Sequence, residues 1–169
     1  MNINEHHIDI LYATFRNRLI MFVGLVIFAA ILLTIQYHFA NANFKKQSAR
    51  KKKMRQSYQK KYDDTITRIV LAIIVIPIVF IMWVLPPYQD ATNNSIIQTE
   101  AIYYRSKTDF SSHYPNVGGT IRLEIGEDSI SVELHPGFSE RDFPEGTYPA
   151  MVWYGEKSRV LLEVDIMEN

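Results

Sequence analysis

The sequence predicts an α+β membrane protein: a two-helix transmembrane hairpin followed by a small all-β domain outside the cytoplasm, a five-stranded barrel of OB or SH3-like type. Three observations carry this expectation. Two runs free of charged residues, 19–35 and 69–85, are each 17 residues long, the lower limit for crossing a hydrocarbon core. Between them, residues 43–68 hold ten Lys and Arg against Asp63 and Asp64, a net charge of +8. After the second run the apolar period changes from helical to two, the pattern of half-buried strands.

The zero net charge of the whole chain hides a segregation. Residues 86–169 carry six bases and fourteen acids, net −8, and residues 1–18 are neutral. Basic loops stay in the cytoplasm, so the loop at 41–68 is expected inside, with both termini and the acidic domain outside a bacterial inner membrane. Absence of cysteine removes disulfides, thiolate nucleophiles and thiolate metal sites together. A domain of about 80 residues must then hold on its apolar core alone, with a small margin.

Residues 1–18 read as an amphipathic start, because Ile8, Leu11, Tyr12, Phe15 and Leu19 fall on one helical face. This helix is expected to lie in the membrane interface or run straight into the first span. His6 and His7 point about 100° apart on a helix and do not easily share a metal ion, so they read as solvated. The first span covers 19–40, with Thr34, Gln36, Tyr37 and His38 at its headgroup end. Ala40-Asn41-Ala42 imitates a signal-peptide cleavage site. A long, partly acidic leader and the basic cluster that follows argue against cleavage.

The basic segment contains no Gly or Pro, so the spans are expected to extend as helices past the membrane. Lys45, Lys46, Arg50, Lys51, Lys52, Lys53, Arg55, Lys60 and Lys61 are its candidate topogenic residues and contacts for anionic headgroups. Asp63-Asp64-Thr65 resembles the N-terminus of a second helix, where carboxylates meet the positive end of the dipole. In the second span, 69–86, Pro77 is expected to kink the helix and Pro86-Pro87 to end it. A polar tether would follow over 88–94. Neither span contains Asp, Glu, Lys or Arg, which is poor ground for an ion carrier.

The domain at 87–169 contains five predicted strands: 96–105, 120–125, 129–135, 147–154 and 159–166. Ile121, Leu123 and Ile125 alternate with Arg122 and Glu124, and Ile130, Val132 and Leu134 with Ser131 and Glu133. Gly126-Glu127-Asp128 joins these two strands as a hairpin. Val160, Leu162, Val164 and Ile166 are the expected core face of the fifth. Residues 139–143 have room for a helical turn between the third and fourth strands.

No reaction is legible. His113, in Ser111-Ser112-His113-Tyr114, lacks the strand-to-helix turn of a nucleophile elbow. Glu133 and His135 share a strand face without a third metal ligand fixed by spacing. Gly118-Gly119 reads as a turn rather than a phosphate loop. No cofactor and no enzymatic activity are expected. The charge of −8 opposes a nucleic-acid backbone, whereas exposed aromatics on an acidic surface suit a protein partner. Candidate partner-binding residues are Met151 and Trp153, on the strand face opposite Val152 and Tyr154, with Glu140, Asp142 and Glu145. The expected role is that of a non-enzymatic envelope protein, an immunity-type inhibitor or an accessory subunit. The alternative is a transporter or channel auxiliary acting through its spans, which also offer a surface for oligomerisation.

Overall fold

The computed structural model describes residues 3–47, 52–105, 120–135 and 146–167. It divides into two compact units, one of Met1–Asn17 with Leu85–Asn169 and the other Arg18–Val84.

Helix α1 spans Ile3–Gln47 and α2 Lys52–Val79. Both are long and apolar enough to cross a membrane, and 0% and 6% of their most apolar windows are buried by protein. That near-complete exposure distinguishes them from the core helices of a water-soluble domain. The first 76 residues contain no proline and a single glycine, Gly24, so nothing breaks either helix early. Asp63-Asp64-Thr65 therefore lies inside α2 and not at its start, eleven residues after its first residue. Pro77 also lies inside α2, and a π-helical turn, Phe80–Val84, follows it. Within this unit the helices pair antiparallel: Phe22 stacks at 5.5 Å on Phe80, and Tyr37 at 6.0 Å on Tyr62.

Residues 88–94 depart from the expected polar stretch. This segment is no tether, and Pro86-Pro87 does not end a helix. Helix α3, Leu85–Asn93, contains both prolines in its first turn, where a missing N–H costs least. Pro87, Asp90 and Ala91 are buried. The helix ends at Asn94 with φ +52°, and Ser95 N–H donates to the Asp90 carbonyl at 2.9 Å. This is the six-to-one bond of a Schellman cap.

Strands β1 (Ile96–Arg105), β2 (Thr120–Ile125), β3 (Asp128–Leu134), β4 (Gly146–Gly155) and β5 (Val160–Ile166) form a closed barrel in the order β1-β2-β3-β5-β4. All neighbours are antiparallel except β3 and β5. Gly126 opens the two-residue β2–β3 turn with φ +62°, the requirement of a type II′ hairpin. Ala101, Tyr103, Ile121, Leu123, Val132, Leu134, Ala150, Val152, Tyr154 and Leu161 fill the barrel.

Strand β5 departs from simple alternation. Trp153 pairs with Glu163 but Tyr154 with Leu161, so Leu162 is an extra residue in β5. Such a bulge shifts the side-chain phase by one. Leu161 then enters the barrel with Val164 packed against its core. Val160 and Leu162 instead face outward, buried against Ile10 and Leu11 of α1 and Ala91 of α3. The expected inward set is corrected accordingly. The same packing corrects the reading of His7 as solvated: it is fully buried, and its Nε2 bonds Glu163 Oε2 at 2.7 Å.

Candidate functional site

The outer surface of β1, β4 and β5 is set by register. Strand residues alternate faces, so the outward positions are Gln98, Glu100, Ile102 and Tyr104 on β1, and Thr147, Pro149, Met151 and Trp153 on β4. They align as rows across the strands. Gln98 faces Trp153, which faces Glu163; Glu100 faces Met151, which faces Asp165. Ile102 faces Pro149, whose carbonyl accepts from Met167 N–H at 3.0 Å.

One end of this surface is covered. Trp153 is half-buried, packed among Ile8, Ile10, Leu11, Ile96, Val160 and Leu162, with the His7 ring 6.3 Å away. Tyr12 and Phe15 pack on Tyr88 at 6.1 and 5.1 Å. The first turns of α1 and helix α3 thus form a lid over the Trp153 row. The other end is open: Ile102, Tyr104 and Met167 are 45%, 46% and 38% exposed, and Pro149 is exposed beside them. Adjacent apolar residues at such exposure form a surface that water solvates poorly, bordered by the exposed carboxylates of Glu100 and Asp165.

Helix α3 fixes the β4–β5 end of this surface. The fully buried Asp90 carboxylate accepts from Ser158 N–H at 2.7 Å and from Lys157 N–H at 3.1 and 3.2 Å. Gly155 makes the approach possible, since a Cβ there would come within 2.5 Å of Asp90 Oδ2. Arg159 closes the turn at φ +52° by donating its N–H to the Gly155 carbonyl at 2.9 Å, and its own carbonyl accepts from Glu133 N–H at 2.8 Å.

No protein-family profile matches this chain, and no curated protein or solved structure is detectably similar to it. Its function must be argued from its own residues.

Of the candidate partner-binding residues, Met151 lies half-buried at the margin of the open surface, between Glu100 and Asp165, and Trp153 beneath the lid. Glu140, Asp142 and Glu145 lie outside the described residues, as do His113 and the expected helical turn at 139–143. Among the basic residues, Lys45 and Lys46 fall on α1 and Lys52, Lys53, Arg55, Lys60 and Lys61 on α2, while Arg50 and Lys51 lie outside the described residues. No group of three or more His, Asp or Glu among the described residues is placed to hold a metal ion. His135 is half-buried at the end of β3, and burial pushes its imidazole below the ordinary histidine value. Burial raises the Tyr154 phenol, partly opposed by Arg159.

Sequence reasoning counted Tyr104 among the aromatics of an interface but did not place it or Ile102 on the outer face, because Ala101-Ile102-Tyr103-Tyr104 is apolar throughout and gives alternation nothing to choose by; Met167 lay beyond the fifth predicted strand. Sequence reasoning also missed Arg18, which is buried. Its Nη1 donates to the Trp83 carbonyl at 2.8 Å, and its guanidinium sits 5.8 Å from the Trp83 ring centre.

Proposed function

We propose that this is a two-pass protein of the bacterial cytoplasmic membrane, with both termini outside and an OB-like barrel that binds another protein without catalysing a reaction. The observation that carries the proposal is the open apolar surface of Ile102, Tyr104, Pro149 and Met167, with Glu100 and Asp165 at its margin. Apolar centre and charged rim are the anatomy of a protein interface, and the acids favour a partner with basic residues around an apolar anchor. The packing of His7, Ile10 and Leu11 onto the barrel supports the topology, since an even number of crossings returns both ends to one side. An immunity-type inhibitor or an accessory subunit of an envelope complex fits these features. The net charge of the C-terminal half argues against single-stranded nucleic acid despite the barrel type.

Photocrosslinking residues placed at Ile102 and Met151 in intact cells test the binding surface, with Glu124 on β2 as control. A discrete protein adduct from the first two positions and none from the third is expected, and Met167→Asp should abolish it. Equal adducts at all three positions, or none, refute the reading. Because the chain has no cysteine, a single Glu127→Cys reports topology: a membrane-impermeant maleimide should label it in sealed cells.

A second reading has an observation of its own. An apolar groove of about 410 Å³ runs between α1 and α2, lined by Ala29, Ala30, Leu33, Ala72, Ile73 and Ile76 among others. Small side chains let a third transmembrane helix approach closely, as an auxiliary subunit of a transporter or channel requires. Ala30→Phe and Ala72→Phe should then release the partner while surface substitutions at Ile102 leave it bound.

A further inference from the structure

The other end of the helix pair carries a second kind of site. A pocket of about 270 Å³ lies between α1 and α2, lined by Gln36, Phe39 and Ala40 from α1 and by Lys61, Asp64, Thr65 and Arg68 from α2. It is several times the roughly 30 Å³ occupied by a water molecule, room enough for a phosphate group and part of its ester. Lys61 and Arg68 are seven residues apart, two helical turns, and therefore share a face. Thr65, between them, is buried, and its hydroxyl donates to the Lys61 carbonyl at 2.8 Å. That bond turns the hydroxyl back onto its own helix and leaves the Lys61 and Arg68 side chains as the cationic walls.

The depth of this pocket is set by sequence. Arg68 immediately precedes the apolar run of α2, and Gln36 is the first polar side chain after the apolar run 19–35 of α1. Both sit where hydrocarbon gives way to headgroups in a spanning helix pair. Phe39 is 69% exposed, an orientation suited to an aromatic ring at the interface. The local charge is two cations against Asp64.

We infer that this pocket binds the headgroup of an anionic phospholipid, its phosphate held by Lys61 and Arg68 and its hydroxyls within reach of Asp64 and Gln36. Basic pockets between transmembrane helices on the cytoplasmic side are suited to such headgroups. The inference rests on the membrane reading above, and it makes part of the basic segment a discrete site in addition to a topogenic charge.

The test uses the full-length protein in detergent, titrated with phosphatidylglycerol and read by native mass spectrometry. Phosphatidylethanolamine, phosphatidylcholine and inorganic phosphate are the comparison ligands. Phosphatidylglycerol should bind in preference to the zwitterionic lipids, and inorganic phosphate should not displace it. The double variant Lys61→Gln/Arg68→Gln should weaken binding roughly tenfold or more. Lys61→Arg and Arg68→Lys should keep it, and Lys60→Gln, on the same helix but outside the pocket, should change it less than about twofold. Lys61 and Arg68 are exposed, so helix content by circular dichroism should not change. Wild-type affinity in the double variant, equal loss in Lys60→Gln, or equal competition by free phosphate overturns the inference. Glu127→Cys labelling of the same variants separates the two failures. Unweakened binding in the double variant with intact topology sinks only the lipid site, and reversed labelling sinks the membrane reading beneath it.

Discussion

Replacing Asp90 by alanine should loosen the barrel at one identifiable turn. Its carboxylate bonds two backbone N–H groups, Lys157 and Ser158, and is itself fully buried. Hydrogen bonds to a charged group contribute about 1.5–3 kcal/mol each. The 2.7 Å bond to half-buried Ser158 belongs at the top of that range. The bonds to Lys157 are longer, and because Lys157 is exposed, water replaces them cheaply. A net loss of about 3 kcal/mol follows, or a melting midpoint lower by roughly 15 °C for a unit of this size. Asp90→Asn keeps one acceptor oxygen and should lose about half as much. The decisive assay is amide hydrogen exchange on the full-length protein in detergent: Lys157 and Ser158 should exchange faster in Asp90→Ala while amides of β2 and β3 change little. Gly155→Ala supplies a second reading of the same contact. It drives a Cβ to within 2.5 Å of Asp90 Oδ2 and still closer to Ser158 Oγ, so it should be costly alone and less costly once Asp90 is alanine and only the Ser158 hydroxyl must give way, a non-additivity of about 1 kcal/mol or more. Additive effects, or unchanged exchange at the two turn amides, would show that Asp90 does not hold this turn.

Two further outcomes follow from groups buried elsewhere. Arg18→Met removes the guanidinium that donates to the Trp83 carbonyl and should cost the helix pair about 2 kcal/mol, the scale of a charged donor lost from a buried acceptor; unfolding monitored by tryptophan fluorescence in lipid bicelles measures it, and Arg18→Lys should recover part. Burial lowers the His135 value, so between about pH 5 and 8 the unfolded chain binds this proton more readily. His135 thus contributes stability that is full above the ordinary histidine range and is lost as pH falls through the lowered folded value; melting curves should show it, and His135→Gln should flatten that part of the pH dependence.

The parts of the fold that could be read in advance are those where one residue type could satisfy one environment only. In β2 and β3, Arg122, Glu124 and Ser131 alternate with Ile121, Leu123, Ile130 and Val132, so the inward face has a single solution. Strand β5 offered two, because Val160, Leu161 and Leu162 are apolar without interruption; the bulge at Leu162 decides between them, and its cause lies in pairing with β4. Helix α3 was hidden by Pro86-Pro87, read as a stop where a first turn tolerates both residues. Met151 could be placed on the outward face by counting from Val152. The exposure of Ile102 and Tyr104 depends on which side of β1 the barrel encloses, and that is set by closure onto β4.

The residues that escaped sequence reasoning, Arg18, Asp90 and His7, share a physical origin. Each is a polar side chain buried against a partner distant in the chain, and in two of the three the partner is backbone that cannot complete its own ladder. The donors an α- or 3₁₀-turn would bring to the Trp83 carbonyl are those of residues 87 and 86, and both are prolines without an N–H; Arg18 supplies the donor instead. The N–H groups of Lys157 and Ser158 sit in a turn with no facing strand, and Asp90 supplies the acceptor. His7 differs, since its partner is the Glu163 carboxylate, but the need is the same: the β5 bulge holds Glu163 opposite Trp153, under the first turns of α1. Backbone defects created by proline, turn and bulge thus account for where Arg18, Asp90 and His7 are buried, and they tie residues at the chain's beginning to the barrel at its end.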